Sequence, residues 1–297
     1  MIVDFIGMPL CAGASTYGTE EAPSYIRKCN LSSLFNRNFI HDLGNIDCCN
    51  EKDYSYFKMK NLLSVLTSCK NVHEQMVQSI KSGHFPLVFG GDHSLSWGTI
   101  SAAADCFDNL GVIYIDAHGD FNTAETSLTH NVHGMHMAYL MGFGHLQENE
   151  IKDIPYTENC LAPQNVFFVG SRALDQGELN FATANSLNIH SSQDIISQGA
   201  SKVAYDIICA IRNNGIKHVH ISFDVDVIDP AFFPGTGVPE KAGISVSEAK
   251  TLLSVFLSEL PVCSMDFVEY NPIADRDNIS QSCCLDLLRM IDSFLLQ

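Results

Sequence analysis

Short apolar runs rich in β-branched and aromatic residues recur along the chain, and between them lie stretches whose apolar positions return every three or four residues. The runs IVDFIG (Ile2–Gly7), NFIHDLG (Asn38–Gly44), FPLVFGG (Phe85–Gly91) and GVIYIDAHGD (Gly111–Asp120) predict four strands. NVFFVGS (Asn165–Ser171), LNIH (Leu187–His190), KHVHISFDVD (Lys217–Asp226) and VCSMDFVE (Val262–Glu269) predict four more. Helical periodicity covers Glu51–Ser82, Ser94–Phe107, Ile195–Asn213, Ser245–Leu260 and Cys283–Leu296. The fourth of these opens on a capping-box pattern, Ser245 with Glu248 three residues on.

Strands that alternate with helices pair in parallel through right-handed crossovers. Near-continuous apolar runs are what parallel strands buried on both faces require. The pattern suits an open, doubly wound α/β sheet or a (β/α)₈ barrel, and periodicity does not choose between them. Either way, the chemistry belongs at the carboxyl ends of the strands. No internal repeat and no Pro/Gly/Ser-rich linker interrupts the chain, so a single domain over residues 1–297 is expected.

Composition narrows the class. Hydrophobic residues make up 46% and charged residues 17%, enough for one sizeable core. No run approaches the roughly 18 apolar residues of a membrane span. The first ten residues, MIVDFIGMPL, carry an acid and no basic stretch, so they are expected to form a strand rather than a signal peptide. The 11 cysteines are odd in number and include no C-x-x-C, although Cys48–Cys49 and Cys283–Cys284 are adjacent. That fits reduced, small apolar residues and a cytoplasmic setting. A net charge of −17 excludes nucleic acid and anionic membrane as partners, and it accommodates cationic substrates and divalent metals.

Four of the eight predicted strands run out into unusual polar residues. The third ends in GGDHS (Gly90–Ser94), the fourth in Asp116, His118 and Asp120, the seventh in Asp224 and Asp226, and the eighth in Glu269. Period-two spacing points residues i, i+2 and i+4 of a strand to one face, so Asp116, His118 and Asp120 are expected to converge, as are Asp224 and Asp226. Carboxylates crowded in this way cannot all stay ionised unless a cation joins them. Two imidazoles, His93 and His118, and four carboxylates, Asp116, Asp120, Asp224 and Asp226, are too many for one tetrahedral zinc. They suit two oxygen-preferring divalent ions about 3.5–4 Å apart, with manganese the best match.

GGDHS, DAHGD, SFDVDVIDP and EYNP, in that order, resemble the signature blocks of the ureohydrolases, the arginase and agmatinase superfamily. The resemblance runs from Gly18 to Pro272. It implies a three-layer α/β/α fold around a central eight-stranded, mainly parallel sheet, not a barrel. It also implies a binuclear manganese centre (two Mn²⁺ per subunit) that hydrolyses guanidinium groups to urea and an amine. Carried over by residue, His93, Asp116, Asp120 and Asp224 would hold one ion. Asp116, His118, Asp224 and Asp226 would hold the other, with Asp116 and Asp224 bridging.

Glu269 would anchor the guanidinium, whose planar donor fork a carboxylate matches. Within the superfamily the stretch DAHGDFNTAETSLTHNVHG is similar to arginases, which makes L-arginine the expected small-molecule substrate; agmatinase or another guanidino-compound ureohydrolase is the alternative. Asn122, Thr129 and Asn131 would meet the α-carboxylate, and Asp175 and Glu178 the α-ammonium. His118 and Val238 are also expected at the substrate. The resemblance further implies a homotrimer or homohexamer.

Three positions depart from the family pattern. Val238 stands where a threonine is usual, Ala173 where arginases commonly carry an acid, and Gly119 in a turn that usually reads HTD. In the mechanism so implied, a bridging hydroxide attacks the guanidinium carbon while Glu269 holds the group in line. Asp120 hydrogen-bonds the hydroxide, and His133 shuttles protons to the leaving amine. Asp92 is expected either to orient a ligand or to serve structure alone. His130 and His136 flank the catalytic loop and read either as supporting the site or as packing or solvent-facing, His218 and His220 read as packing under helices, and His41, His73, His84, His145 and His190 show no partner pattern.

Overall fold

A computed structural model describes residues 1–53, 56–146 and 160–295. Eight strands form at the expected places: β1 (Ile2–Met8), β2 (Phe39–Asn45), β3 (Phe85–Gly90), β4 (Gly111–Ile115), β5 (Val166–Ser171), β6 (Asn188–Ser191), β7 (Val219–Asp224) and β8 (Val262–Val268). They make one open sheet in the order β2-β1-β3-β8-β7-β4-β5-β6. Every pairing is parallel. An open sheet with two edges removes the barrel alternative.

The helices are α1 (Ala22–Arg27), α2 (Leu31–Leu34), α3 (Leu62–Lys81), α4 (Ser96–Cys106), α5 (His136–Leu140), α6 (Gln176–Asn185), α7 (Ser192–Gln198), α8 (Ala200–Asn213), α9 (Val246–Glu259) and α10 (Ile279–Phe294). Successive strand residues feed opposite layers. Val3 and Phe5 join the core under α1, α2 and α7–α10, while Ile6 and Met8 join the core under α3–α5. Two cores on either side of one sheet give the three-layer α/β/α arrangement.

Helix boundaries differ from expectation where local chemistry intervenes. α3 starts only at Leu62, after Asn61 adopts a left-handed backbone (φ 58°). Residues 54 and 55 of the expected Glu51–Ser82 helix and Leu296 of the expected Cys283–Leu296 helix lie outside the described residues. The expected Ile195–Asn213 helix is two helices, divided by Gly199 at φ 93°, a conformation open to glycine without strain. α9 carries the expected box, with Ser245 and Glu248 each capping the other's backbone N–H. Among the described residues no helix is long and apolar enough to cross a membrane, and none of the eleven cysteines is paired.

Candidate active site

The strand order sets β3, β8, β7 and β4 side by side, so the four polar strand ends meet at one carboxyl edge. The means of convergence differs from strict strand alternation. β4 stops at Ile115, and the chain then turns, with Asp120 in the left-handed region at φ 54°. Asp224 is the last residue of β7 and accepts the backbone N–H of Asp226 (2.8 Å) at the start of a 3₁₀ turn. Glu269 follows β8, also left-handed at φ 63°. Left-handed backbone at a non-glycine residue costs on the order of 1–3 kcal/mol and recurs at functional sites. Gly119 leaves room for the Phe121 ring, which a Cβ there would approach to 2.3 Å unless the ring moved.

Two clusters share one carboxylate. His93 Nδ1 lies 2.8 Å from Asp116 Oδ2, 3.0 Å from Asp224 Oδ2 and 3.5 Å from Asp120 Oδ2. His118 Nδ1 lies 3.4 Å from Asp116 Oδ1 and 2.9 Å from Asp226 Oδ2. Asp116 therefore presents a different oxygen to each imidazole. Its Oδ2 is buried and makes no hydrogen bond, although His93 Nδ1 is so near. Lone pairs that face one another across such distances suit a cation between them.

The charges agree. Burial would raise the Asp116 carboxyl, but His118 and His93 outweigh it and hold it well below the usual carboxylate range. Burial, then the neighbouring Asp226 and Asp116, push Asp224 well up. Asp120 rises through burial and the Asp116 charge, and Asp226 for the same two reasons. Without cations, burial and mutual repulsion favour the protonated forms of Asp120, Asp224 and Asp226.

Beneath the cluster lies a relay that sequence reasoning missed. His93 Nε2 sits 2.8 Å from Ser222 Oγ, which donates to Asp266 Oδ1 at 2.7 Å. His220 Nε2 reaches Asp266 Oδ2 at 3.0 Å, Ser96 donates to the same oxygen at 3.1 Å, and Thr99 also donates to it. Burial would raise Asp266, yet His220 and its other partners bring it down to about 2, so it is ionised. His220 is thus part of this relay rather than simple packing. Tyr114 Oη donates to Asp120 Oδ2 (2.6 Å) and lies 3.2 Å from His136 Nε2. Tyr114 and Ser222 each stand two residues before a predicted ligand, Asp116 and Asp224, so the period-two rule already contained them.

Above the cluster opens a cavity of about 350 Å³. His93, His118, Asp120, Asp224 and Asp226 form its floor, and Asp116 is buried behind them. All the expected substrate residues line it: Asn122, Thr129, Asn131, Asp175, Glu178 and Val238 around the wall, with Glu269 and His133. Glu269 Oε1 accepts the His93 backbone N–H (2.9 Å), while its Oε2 is buried without a partner. His133 Nδ1 lies 3.5 Å from Glu269 Oε1. Burial lowers the His133 imidazole, but Glu269 overcomes that and raises it to about 9.

Asp175 and Glu178 form a capping box at the start of α6, a helix the sequence reading left out. Asp175 Oδ2 also accepts from Asn122 Nδ2 at 3.0 Å. Burial and the Asp120 charge push Glu178 up to about 8. Asp92 takes the structural alternative: it accepts from the backbone N–H groups of Gly13 (2.9 Å) and Ser94 (3.0 Å), not from a ligand side chain.

Comparison with known proteins places the sequence and fold among characterised relatives. A family model described as "Arginase family" matches residues 2–291. The arginase of Bacillus subtilis (strain 168) is 35% identical over 291 residues, 97% of each chain. The crystal structure of the arginase from Bacillus caldovelox superposes with a TM-score of 0.90 at 31% identity, covering 99% of this chain and 98% of that one. That of Entamoeba histolytica arginase in complex with L-ornithine gives 0.87 at 26% identity, covering 100% and 99%.

Proposed function

Because the chain belongs to the arginase family and is a hydrolase of it, we propose that it hydrolyses L-arginine to L-ornithine and urea with two manganese ions per subunit. The observation that carries this reading is the buried Asp116 offering one oxygen to His93 and the other to His118, directly below a cavity with an unpartnered Glu269 oxygen. His93, Asp116, Asp120 and Asp224 would hold one ion, and Asp116, His118, Asp224 and Asp226 the other. Divalent cations held there would neutralise the carboxylates and, by lowering the pKa of bound water, would supply a hydroxide nucleophile at neutral pH.

The remaining roles belong to this chain's own side chains. Glu269 Oε2 is a buried acceptor that fits one edge of a guanidinium. Gly237 keeps that approach open, since a Cβ there would lie 2.7 Å from Oε2. His133, raised to about 9 beside Glu269, would deliver a proton to the departing amine. The carboxylate and ammonium of an α-amino acid share one carbon, so donor and acceptor must be neighbours on the wall. Asn122 and Asp175 are such neighbours; Thr129 and Asn131 extend the donor side, and Glu178 the acceptor side.

Reduced cysteines support a cytoplasmic setting, and the family reading extends to a single domain assembled as a homotrimer or homohexamer. The test is urea release from L-arginine, agmatine and guanidinobutyrate measured in parallel, with metal stripped and restored. Arginine should be preferred and activity should return with manganese. Urea from agmatine alone would move the assignment to agmatinase, and no urea from any of the three would overturn it.

A further inference from the structure

Asp4, His41 and His84 come from three separate segments and meet away from the cavity. Asp4 lies opposite His41 across the β1–β2 pairing and opposite Pro86 across the β1–β3 pairing, with His84 two residues before that proline. Asp4 precedes Met8, the end of β1 on the catalytic side, by four residues, or about 13 Å of strand. The sequence reading assigned these two histidines no partner, because nothing local links them. The parallel register does.

We propose that Asp4, His41 and His84 form a second divalent-cation site, of the zinc class, that ties the edge strand β2 to β1 and to the turn between α3 and β3. His41 Nδ1 lies 2.9 Å from Asp4 Oδ1, and His84 Nδ1 lies 3.1 Å from Asp4 Oδ2. One ligand atom from each of the three lies within 4.8 Å of the others. Two imidazoles and a carboxylate, with a fourth position for water, make a recognised zinc ligand set. Bonds of about 2.0–2.1 Å in tetrahedral array put neighbouring ligands about 3.4 Å apart. The observed 2.9 and 3.1 Å fall a few tenths short of that, as do the 2.8 and 2.9 Å edges of the catalytic clusters.

The surroundings favour positive charge. Asp4 is 3% exposed, and although burial would raise its carboxyl, its contacts with His84 and His41 hold it below the usual range. Ser79 belongs to the last turn of α3, where the helix dipole is negative. The His41 side chain is 52% exposed, which opens a path for an ion from solvent. An unprotected edge strand gains order from such a clamp.

Full-length protein is stripped with chelator, dialysed against zinc alone and counted by plasma mass spectrometry beside His41→Asn and His84→Gln. Each variant should hold one zinc fewer per chain than the native protein and lose part of the zinc-dependent rise in Tm. Urea release after reloading with manganese should be unchanged. Equal zinc counts in all three proteins overturn the site and leave a hydrogen-bonded triad only. A zinc anomalous map of unmodified crystals gives an answer free of mutation: density at Asp4 supports the proposal, and its absence refutes it. Failure of the catalytic reading would leave the difference in zinc count intact, so the two claims stand apart.

Discussion

Asp116, Asp224 and Asp226 sit on or one turn beyond strands locked in a parallel ladder, buried to within 2%. Asn122, Thr129 and Asn131 sit on a loop held by its own side chains: Asn122 to Asp175 and Thr126, Asn131 to Ser15. These three carboxylates thus have their positions fixed by the sheet, and the wall has its positions fixed by local hydrogen bonds. Metal chemistry tolerates errors of only a few tenths of an ångström, whereas recognition of a flexible amino acid tolerates more. On the proposed reading, the chemistry with the stricter geometry is built on the strand ends. Floor substitutions should therefore cost reaction and metal together, and wall substitutions should cost substrate binding first.

The largest effect should follow loss of a floor carboxylate. Asp226→Asn should deplete metal and lower urea release by on the order of a thousand-fold or more; metal counting checks it, and an unchanged stoichiometry would contradict the ligand set. His133→Asn tests the border between floor and wall. It should lower turnover by about 10²–10⁴-fold with metal content intact, and a matching loss of manganese would remove its role as proton carrier.

Asp266→Asn probes the relay below the floor. Manganese affinity should fall by about 10–100-fold, while much of the urea release returns at saturating manganese. Loss of activity that no metal concentration restores would assign Asp266 to packing alone.

On the wall, Asp175→Ala should raise KM more than it lowers kcat and cost about 1 kcal/mol of stability through the lost cap. An effect on kcat alone would break the division between floor and wall. The smallest change is a titration. Glu269→Gln in metal-free protein should drop the His133 midpoint from about 9 towards the ordinary 6.5, read by NMR. The sign follows from the raised pKa: the His133–Glu269 pair stabilises the fold fully below pH 6.5, and that contribution fades as pH rises through about 9. A midpoint that does not move would mean Glu269 is not what holds the proton.

The same division governs what the sequence revealed. All eight strands and the six metal-ligand candidates were legible, because buried parallel strands write near-continuous apolar runs and their ends interrupt those runs with acids and histidines. Tyr114 and Ser222 were legible in principle by the period-two rule but lay hidden inside apolar runs. Asp266 and His220 meet only through the β7–β8 pairing, and Asp4 and His41 only through β1–β2, so no local pattern announces them. α6 begins at a capping box that Asp175 and Glu178 spell in the sequence, and both acids also line the cavity. The turn that carries His118 and Asp120 off the strand depends on left-handed backbone at an aspartate, which composition does not foretell.

The central claim is most directly tested by the anomalous scattering of manganese in crystals of the metal-restored protein. The account predicts two peaks in the catalytic cavity, one against His93 and Asp120 and one against His118 and Asp226, with Asp116 between them. A single peak, or ions held by other side chains, would contradict it.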